Sequence, residues 1–141
     1  MPCARARGAA VTALVLDASA VVDLLLRNRN GTAVQTCLQG SELHTVAHLD
    51  AEVFSALARL CRDGTLPGEA VEIRLRALSR LSVLRLPITG ALLEEAWTLR
   101  HNVTARDALY VALARRLRGR LLTTDQRLAR AVPGLCVPLS L

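Results

Sequence analysis

The chain has 141 residues, the size of one ordinary domain. It is 52% hydrophobic but only 2% aromatic, so its core must be built from Leu, Val and Ala rather than from rings. The net charge is +6, carried entirely by Arg with no Lys; this fits nucleic acid or an acidic protein as partner, and no apolar run is long enough to cross a membrane.

Leu and Ala favour helix and Val favours strand, so a helix-rich α/β domain is expected. GC-rich coding would also replace Lys by Arg, but the charge acts whatever its origin. Cys3, Cys37, Cys61 and Cys136 are scattered without a C-x-x-C pair. That argues against a zinc site and suits reduced thiols in a cytoplasmic protein. Residues 1–12 carry two Arg before an apolar run, faintly like a signal peptide. The run flows straight into Asp17, which fits a strand better. Residues 1–12 are therefore read as a flexible extension and 13–141 as a single domain.

In chain order, Ala13 to Asp17 (A-L-V-L-D) reads as a buried parallel strand ending in an acid. Ser19 to Arg27 reads as a helix, Asn28 to Gly31 as a turn, and Thr32 to Gln39 as a short helix closed by Gly40. Glu42 to Val46 is the second strand. Leu49, Val53, Leu57 and Leu60 recur at helical spacing between His48 and Arg62, and Gly64 ends that helix. Pro67 to Arg80 is a helix, Ser82 to Leu86 a strand, and Thr89 to Leu99 a helix capped by Thr89. Thr104 to Leu117 is the clearest helix. A strand at Arg120 to Thr123, a short helix at Asp125 to Ala131 and a last strand at Leu135 to Pro138 complete the chain. Strands alternating with helices predict a parallel sheet covered on both faces.

In such a sheet, ligands bind beyond the carboxyl ends of the strands. Asp17 closes the first strand, Glu52 lies near the start of the helix after the second, and Asp125 follows the fourth. Asp107 lies in the first turn of its helix. That helix runs away for roughly 20 Å at ~1.5 Å per residue before the Arg120 strand returns at ~3.3 Å per residue. All four acids therefore fall at one edge. Four crowded carboxylates repel one another unless a cation compensates them. Oxygen ligands suit Mg²⁺ or Mn²⁺, which can activate water against a phosphodiester. Each acid also has an ordinary reading: Asp17 and Asp125 as helix caps, Asp107 with Thr104 as a capping box, and Asp50 as a partner of the helix dipole.

Three segments together resemble the PIN-domain family, specifically the VapC-type toxins of toxin–antitoxin pairs. They are L-V-L-D-A-S-A-V-V-D-L-L from Leu14, H-L-D-A-E-V-F-S-A-L from His48, and Thr104 to Arg130 with T-A-R-D-A-L-Y and L-L-T-T-D-Q-R-L-A-R. The resemblance implies a three-layer α/β/α fold with a central parallel sheet. It implies an endoribonuclease dependent on Mg²⁺ or Mn²⁺. The family's acids fall on Asp17, Glu52, Asp107 and Asp125, and its small polar positions on Ser19 and Thr123. Asp17 and Asp107 would bind the metal; Glu52 and Asp125 would hold its waters. A homodimer and a small VapB-like antitoxin are the implied partners, the antitoxin placing a basic side chain near the acids.

Arg100, Arg106, Arg115, Arg116, Arg118 and Arg120 are candidates for RNA phosphates, with a solvated helix face as the alternative for Arg115 and Arg118. Tyr110 and Trp97 read as packing residues, Asp23 as facing solvent or the antitoxin, and His101 as a loop residue. A metal pair of His44 and His48 is disfavoured by the strand-to-helix break between them. Competing functions are a PIN nuclease in RNA processing and an inactive PIN-fold binding module. No nucleotide-binding G-x-x-x-x-G-K-[ST] loop is present.

Overall fold

The computed structural model describes residues 12–141, so the expected N-terminal extension lies, save Thr12, outside the described residues. Four strands, β1 (Ala13–Leu16), β2 (Glu42–Val46), β3 (Leu84–Leu86) and β4 (Arg120–Leu122), form one sheet in the order β3-β2-β1-β4. Every pairing is parallel. Among the described residues seven helices accompany them: α1 (Ala18–Leu26), α2 (Arg29–Leu38), α3 (Leu49–Arg62), α4 (Gly68–Arg80), α5 (Gly90–Trp97), α6 (Ala105–Arg116) and α7 (Gln126–Ala131). The result is the α/β class with a central parallel sheet flanked by helices. Among the described residues no helix is long and apolar enough to cross a membrane.

The strands are short and apolar because both faces are covered; Leu14, Val15 and Leu16 are all buried. Helices α1 to α4 pack on one another, whereas α6 lies against β1, β2 and β4 with α5 alongside. Helix α6 is buried without interruption from Ala108 to Ala114, the mark of a helix enclosed on nearly all sides. Each fully buried Leu or Val contributes roughly 1.5–3 kcal/mol, and the buried Leu and Val among the described residues need no aromatic help beyond Tyr110 only if the packing is close. Gly119 shows how close: a methyl there would overlap the Ala13 carbonyl, where β4 begins beside β1.

Three expectations change. The predicted turn Asn28 to Gly31 is the start of α2: Asn28 caps it, accepting from the Gly31 N–H at 2.8 Å. The predicted last strand, Leu135 to Pro138, makes only a single bridge between Cys136 and Leu121. Pro133 and Pro138 bracket the segment and cannot donate to a ladder. Cys61 and Cys136 are free thiols but Cys37 is disulfide-bonded, a pairing that scattered spacing does not reveal.

Gly119→Ala should lower stability by about 1–3 kcal/mol, because backbone must move to admit the methyl. Urea unfolding of the variant against the wild type measures it; an unchanged midpoint would mean that β4 and β1 have slack.

Candidate active site

Strand β1 has β2 on one side and β4 on the other, while the chain passes from β1 to β2 to β3 in one direction. The strand order thus reverses between β1 and β4, where a crevice opens at the carboxyl ends. Asp17 follows β1 and Thr123 follows β4 across that crevice.

Asp17 is buried, 2% exposed. Its Oδ1 accepts from the Ser19 hydroxyl at 2.7 Å and the Ala20 N–H at 2.9 Å; its Oδ2 accepts from the Thr123 hydroxyl at 2.5 Å. Both hydroxyls accept from the segment that follows β4: the Thr124 N–H donates to Ser19 Oγ and the Asp125 N–H to Thr123 Oγ1, both at 3.1 Å. Each hydroxyl spends its one proton on Asp17, so their mutual 3.1 Å contact has no proton left while Asp17 is ionised. Burial pushes the Asp17 carboxyl up to about 6, against the lowering effect of its three donors, and the charge of Asp107 adds to the rise.

Glu52 stands in the first turn of α3. Its Oε1 accepts from the Tyr110 hydroxyl at 2.7 Å, and His48 Nε2 lies 3.2 Å away. The His48 ring stacks on Tyr110 with centroids 4.6 Å apart. Nε2 also meets the Arg106 carbonyl at 3.3 Å, so both its neighbours are acceptors and it carries a proton. His48 Nδ1 is buried without a hydrogen-bond partner among the described residues. Glu52 Oε2 has only Arg106, at 3.6 Å. Burial alone would raise the Glu52 carboxyl, but the bonds from His48 and Tyr110, with the charges of His48 and Arg106, hold it below the usual range.

Tyr110 lies one turn along α6 from Asp107. Its phenol is driven well above its ordinary value by burial and by Glu52, Asp17 and Asp107 together, which places three acids around one hydroxyl. Asp107 and Asp125 meet through Arg127, whose Nη2 is 3.9 Å from one carboxylate and 3.8 Å from the other. Exposure rises from Asp17 at the floor through the Glu52 and Asp107 side chains, 17% and 20%, to Asp125 at 33%.

The capping readings are realised beside the clustering, not instead of it. Asp17 is the N-cap of α1, and Asp125 caps α7 through Oδ1. Thr104 caps α6 by a long 3.4 Å bond from the Asp107 N–H, while the Asp107 carboxylate turns to Arg127. Asp50 does more than face a dipole: Arg85 grips it with two bonds, 2.7 and 3.0 Å. Asp23 accepts from Asn28 and Asn30 and ties α1 to α2. Trp97 is no core residue, being 67% exposed under the Arg100 guanidinium. Of the basic candidates, Arg116 pairs with Glu95 at 3.5 Å and Arg120 donates to the Cys136 carbonyl. Sequence reading missed Arg127 and the roles of His48 and Tyr110. The spacings His48–Glu52 and Asp107–Tyr110, each on one helical face, were the available signal.

Among the described residues no three His, Cys, Asp or Glu side chains converge as a ready-made metal cage. The donors are nevertheless all hard oxygens around a buried carboxylate that is unfavourable to ionise alone. That set fits a cation such as Mg²⁺, which keeps several waters and takes one or two carboxylates.

A family model for the PIN domain matches residues 14–132. Ribonuclease VapC3 of Mycobacterium tuberculosis is 46% identical over 121 residues, covering 85% of this chain and 88% of that protein. Ribonuclease VapC1 of the same organism is 45% identical over 122 residues, 86% and 91% of the two chains. The chain therefore belongs to the PIN-domain family, as a VapC-type member. The crystal structure of Mycobacterium tuberculosis VapC20, a sarcin-ricin loop cleaving toxin, superposes with a TM-score of 0.65 over 90% of this chain and 99% of its own. At 18% identity that likeness speaks for the fold alone.

Two outcomes follow from the electrostatics. Asp17 is easier to protonate folded than unfolded, so its contribution to stability is full below about pH 4 and is lost as pH rises through about 6, some 2–3 kcal/mol in all. In EDTA, wild type should therefore lose stability relative to Asp17→Asn across that window; a pH-independent difference would refute the shift. Tyr110→Phe should cost about 1 kcal/mol and let the Glu52 carboxyl titrate higher, as read by carboxyl NMR.

Proposed function

We propose that the chain is an endoribonuclease toxin of a toxin–antitoxin pair, hydrolysing RNA phosphodiester bonds with Mg²⁺ or Mn²⁺. The observation that carries this reading is Asp17: a carboxylate buried at the switch point, gripped by Ser19 and Thr123, whose ionised form is made costly by burial and further by the charge of Asp107, and which a cation would relieve. The names of the VapC relatives support ribonuclease as the activity.

Asp17 and Asp107 would hold the metal directly, and Glu52 and Asp125 its waters. When bound, the ion supplies a water of lowered pKa and a counter-charge for the phosphate. The residues do the rest. Ser19 and Thr123 fix the Asp17 carboxylate by spending their protons on it. Tyr110 and His48 occupy Glu52 Oε1, leaving Oε2 with the longer 3.6 Å contact to Arg106. Asp125 gives Oδ1 to the α7 cap and keeps Oδ2 for the site. Such supporting partners typically matter ten- to a hundredfold.

The partners belong to the same reading. A groove of about 640 Å³, lined by Leu24, Leu25, Ile73, Ala77 and Leu81, suits the apolar face of an antitoxin segment. Exposed Leu93 and Trp97 offer apolar surface for a homodimer. A toxin acting on cellular RNA would work in the cytoplasm.

Total cellular RNA should be cut in Mg²⁺ or Mn²⁺ and left intact in EDTA. Asp17→Asn should lose roughly two or more orders of magnitude in rate while keeping its fold by circular dichroism. Metal-independent cutting, or full activity of Asp17→Asn, would sink the proposal.

A further inference from the structure

The cation that bridges two of the acids is one that no motif marks. Arg127 is the second residue of α7, two residues after Asp125, and its stem is anchored because its own N–H donates to Asp125 Oδ1 at 2.9 Å. Its guanidinium behaves differently. One nitrogen, Nη2, lies between Asp107 Oδ2 and Asp125 Oδ2, at 3.9 and 3.8 Å, beyond hydrogen-bond length from both. The side chain is 75% exposed. It is thus held by charge alone, and such exposed contacts are weak and easily exchanged.

The same Arg127 lines a cleft of about 400 Å³. Arg100, His101, Asn102 and Thr104 line it with Arg127, and Asp107 is the only acid in its wall. Arg100 cannot swing freely: it lies over the Trp97 ring at 4.9 Å and donates to the Trp97 carbonyl at 3.0 Å. With its acid, Asp107, neutralised by a bound metal, the cleft would present two cations, Arg100 and the loosely held Arg127, with His101, Asn102 and Thr104 beside them. That is the composition of a phosphate site, and its volume is of the order of one nucleotide.

We propose that Arg127 is a two-position residue. Without a divalent cation it neutralises Asp107 and Asp125; when the cation arrives it turns into the cleft and, with Arg100, holds a phosphodiester of the RNA next to the one cut. The inference rests on the nuclease reading and names the part of the surface that positions its substrate. Arg127 is a positioning residue, acting on the acids in one state and on a neighbouring phosphate in the other.

The test uses Arg127→Gln and Arg100→Gln, both surface changes, with two readouts other than turnover. Mn²⁺ binding without RNA is followed by the electron paramagnetic resonance signal of free Mn²⁺. Arg127→Gln should bind Mn²⁺ about two- to fivefold more tightly, because a competing charge has gone, and the gain should shrink at high salt. Arg100→Gln should leave Mn²⁺ affinity unchanged. Binding of a labelled mixed-sequence 12-nucleotide RNA with phosphorothioate linkages, which resist hydrolysis, is followed by fluorescence anisotropy in saturating Mn²⁺. Either variant should bind it more weakly, with the slope of log affinity against log salt reduced by about 0.7.

Unchanged or weaker Mn²⁺ binding by Arg127→Gln would overturn the proposal, as would an unchanged RNA salt slope in that variant. If the wild type binds no Mn²⁺ and cuts no RNA, the nuclease reading falls and this inference with it. If the wild type does both and Arg127→Gln matches it, only the inference falls.

Discussion

A carboxylate that water cannot reach must be satisfied by the protein or by a cation, and Asp17 is such a group. It stands at the end of β1, and its two oxygens draw donors from the first turn of α1 and from the end of β4. The two hydroxyls among those donors in turn accept from N–H groups of the segment leading to Asp125. One buried charge therefore holds together the two strand ends on either side of the switch point. Even so, the protein supplies less than full compensation, since the carboxyl remains pushed up to about 6. The fold bears an ionised Asp17 at a cost and is relieved when a positive charge comes near.

The other acids are arranged around that deficit in different ways. Glu52 is over-supplied at one oxygen, by Tyr110 and His48, and is held ionised. Asp107 and Asp125 are under-supplied and share a loosely held arginine. The site thus grades from a rigid, buried floor to an adaptable rim. This is the order expected where the floor fixes geometry and the rim must admit a large charged substrate.

Most of the architecture was legible in the sequence because each element carries its own signal. The A-L-V-L run, the 3.6-residue spacing in α3 and the uninterrupted apolar stretch of α6 need no tertiary information. The edge shared by the four acids followed from strand and helix lengths. The sequence misled where one residue type serves two purposes. Asn28 looked like a turn residue and is a cap; Pro138 looked like the end of a strand and is what prevents one. Trp97 looked like core because rings usually are, yet its carbonyl and face serve Arg100 at the surface. Arg127 was invisible among many arginines because its role depends on Asp107, twenty residues earlier, and only the folded crevice brings the two together.

Helix α6 carries Asp107 and Tyr110 on its first two turns and is buried from Ala108 to Ala114, with Arg115 and Arg116 back at the surface. The part that does chemistry and the part that fills the interior are one rigid rod. A small change in the heading of that rod, caused anywhere along its length, is delivered as a displacement at its tip. Loss of activity at a position on this helix therefore carries little information about chemistry by itself. The informative substitutions are those that keep the rod's direction and alter only what its first two turns present.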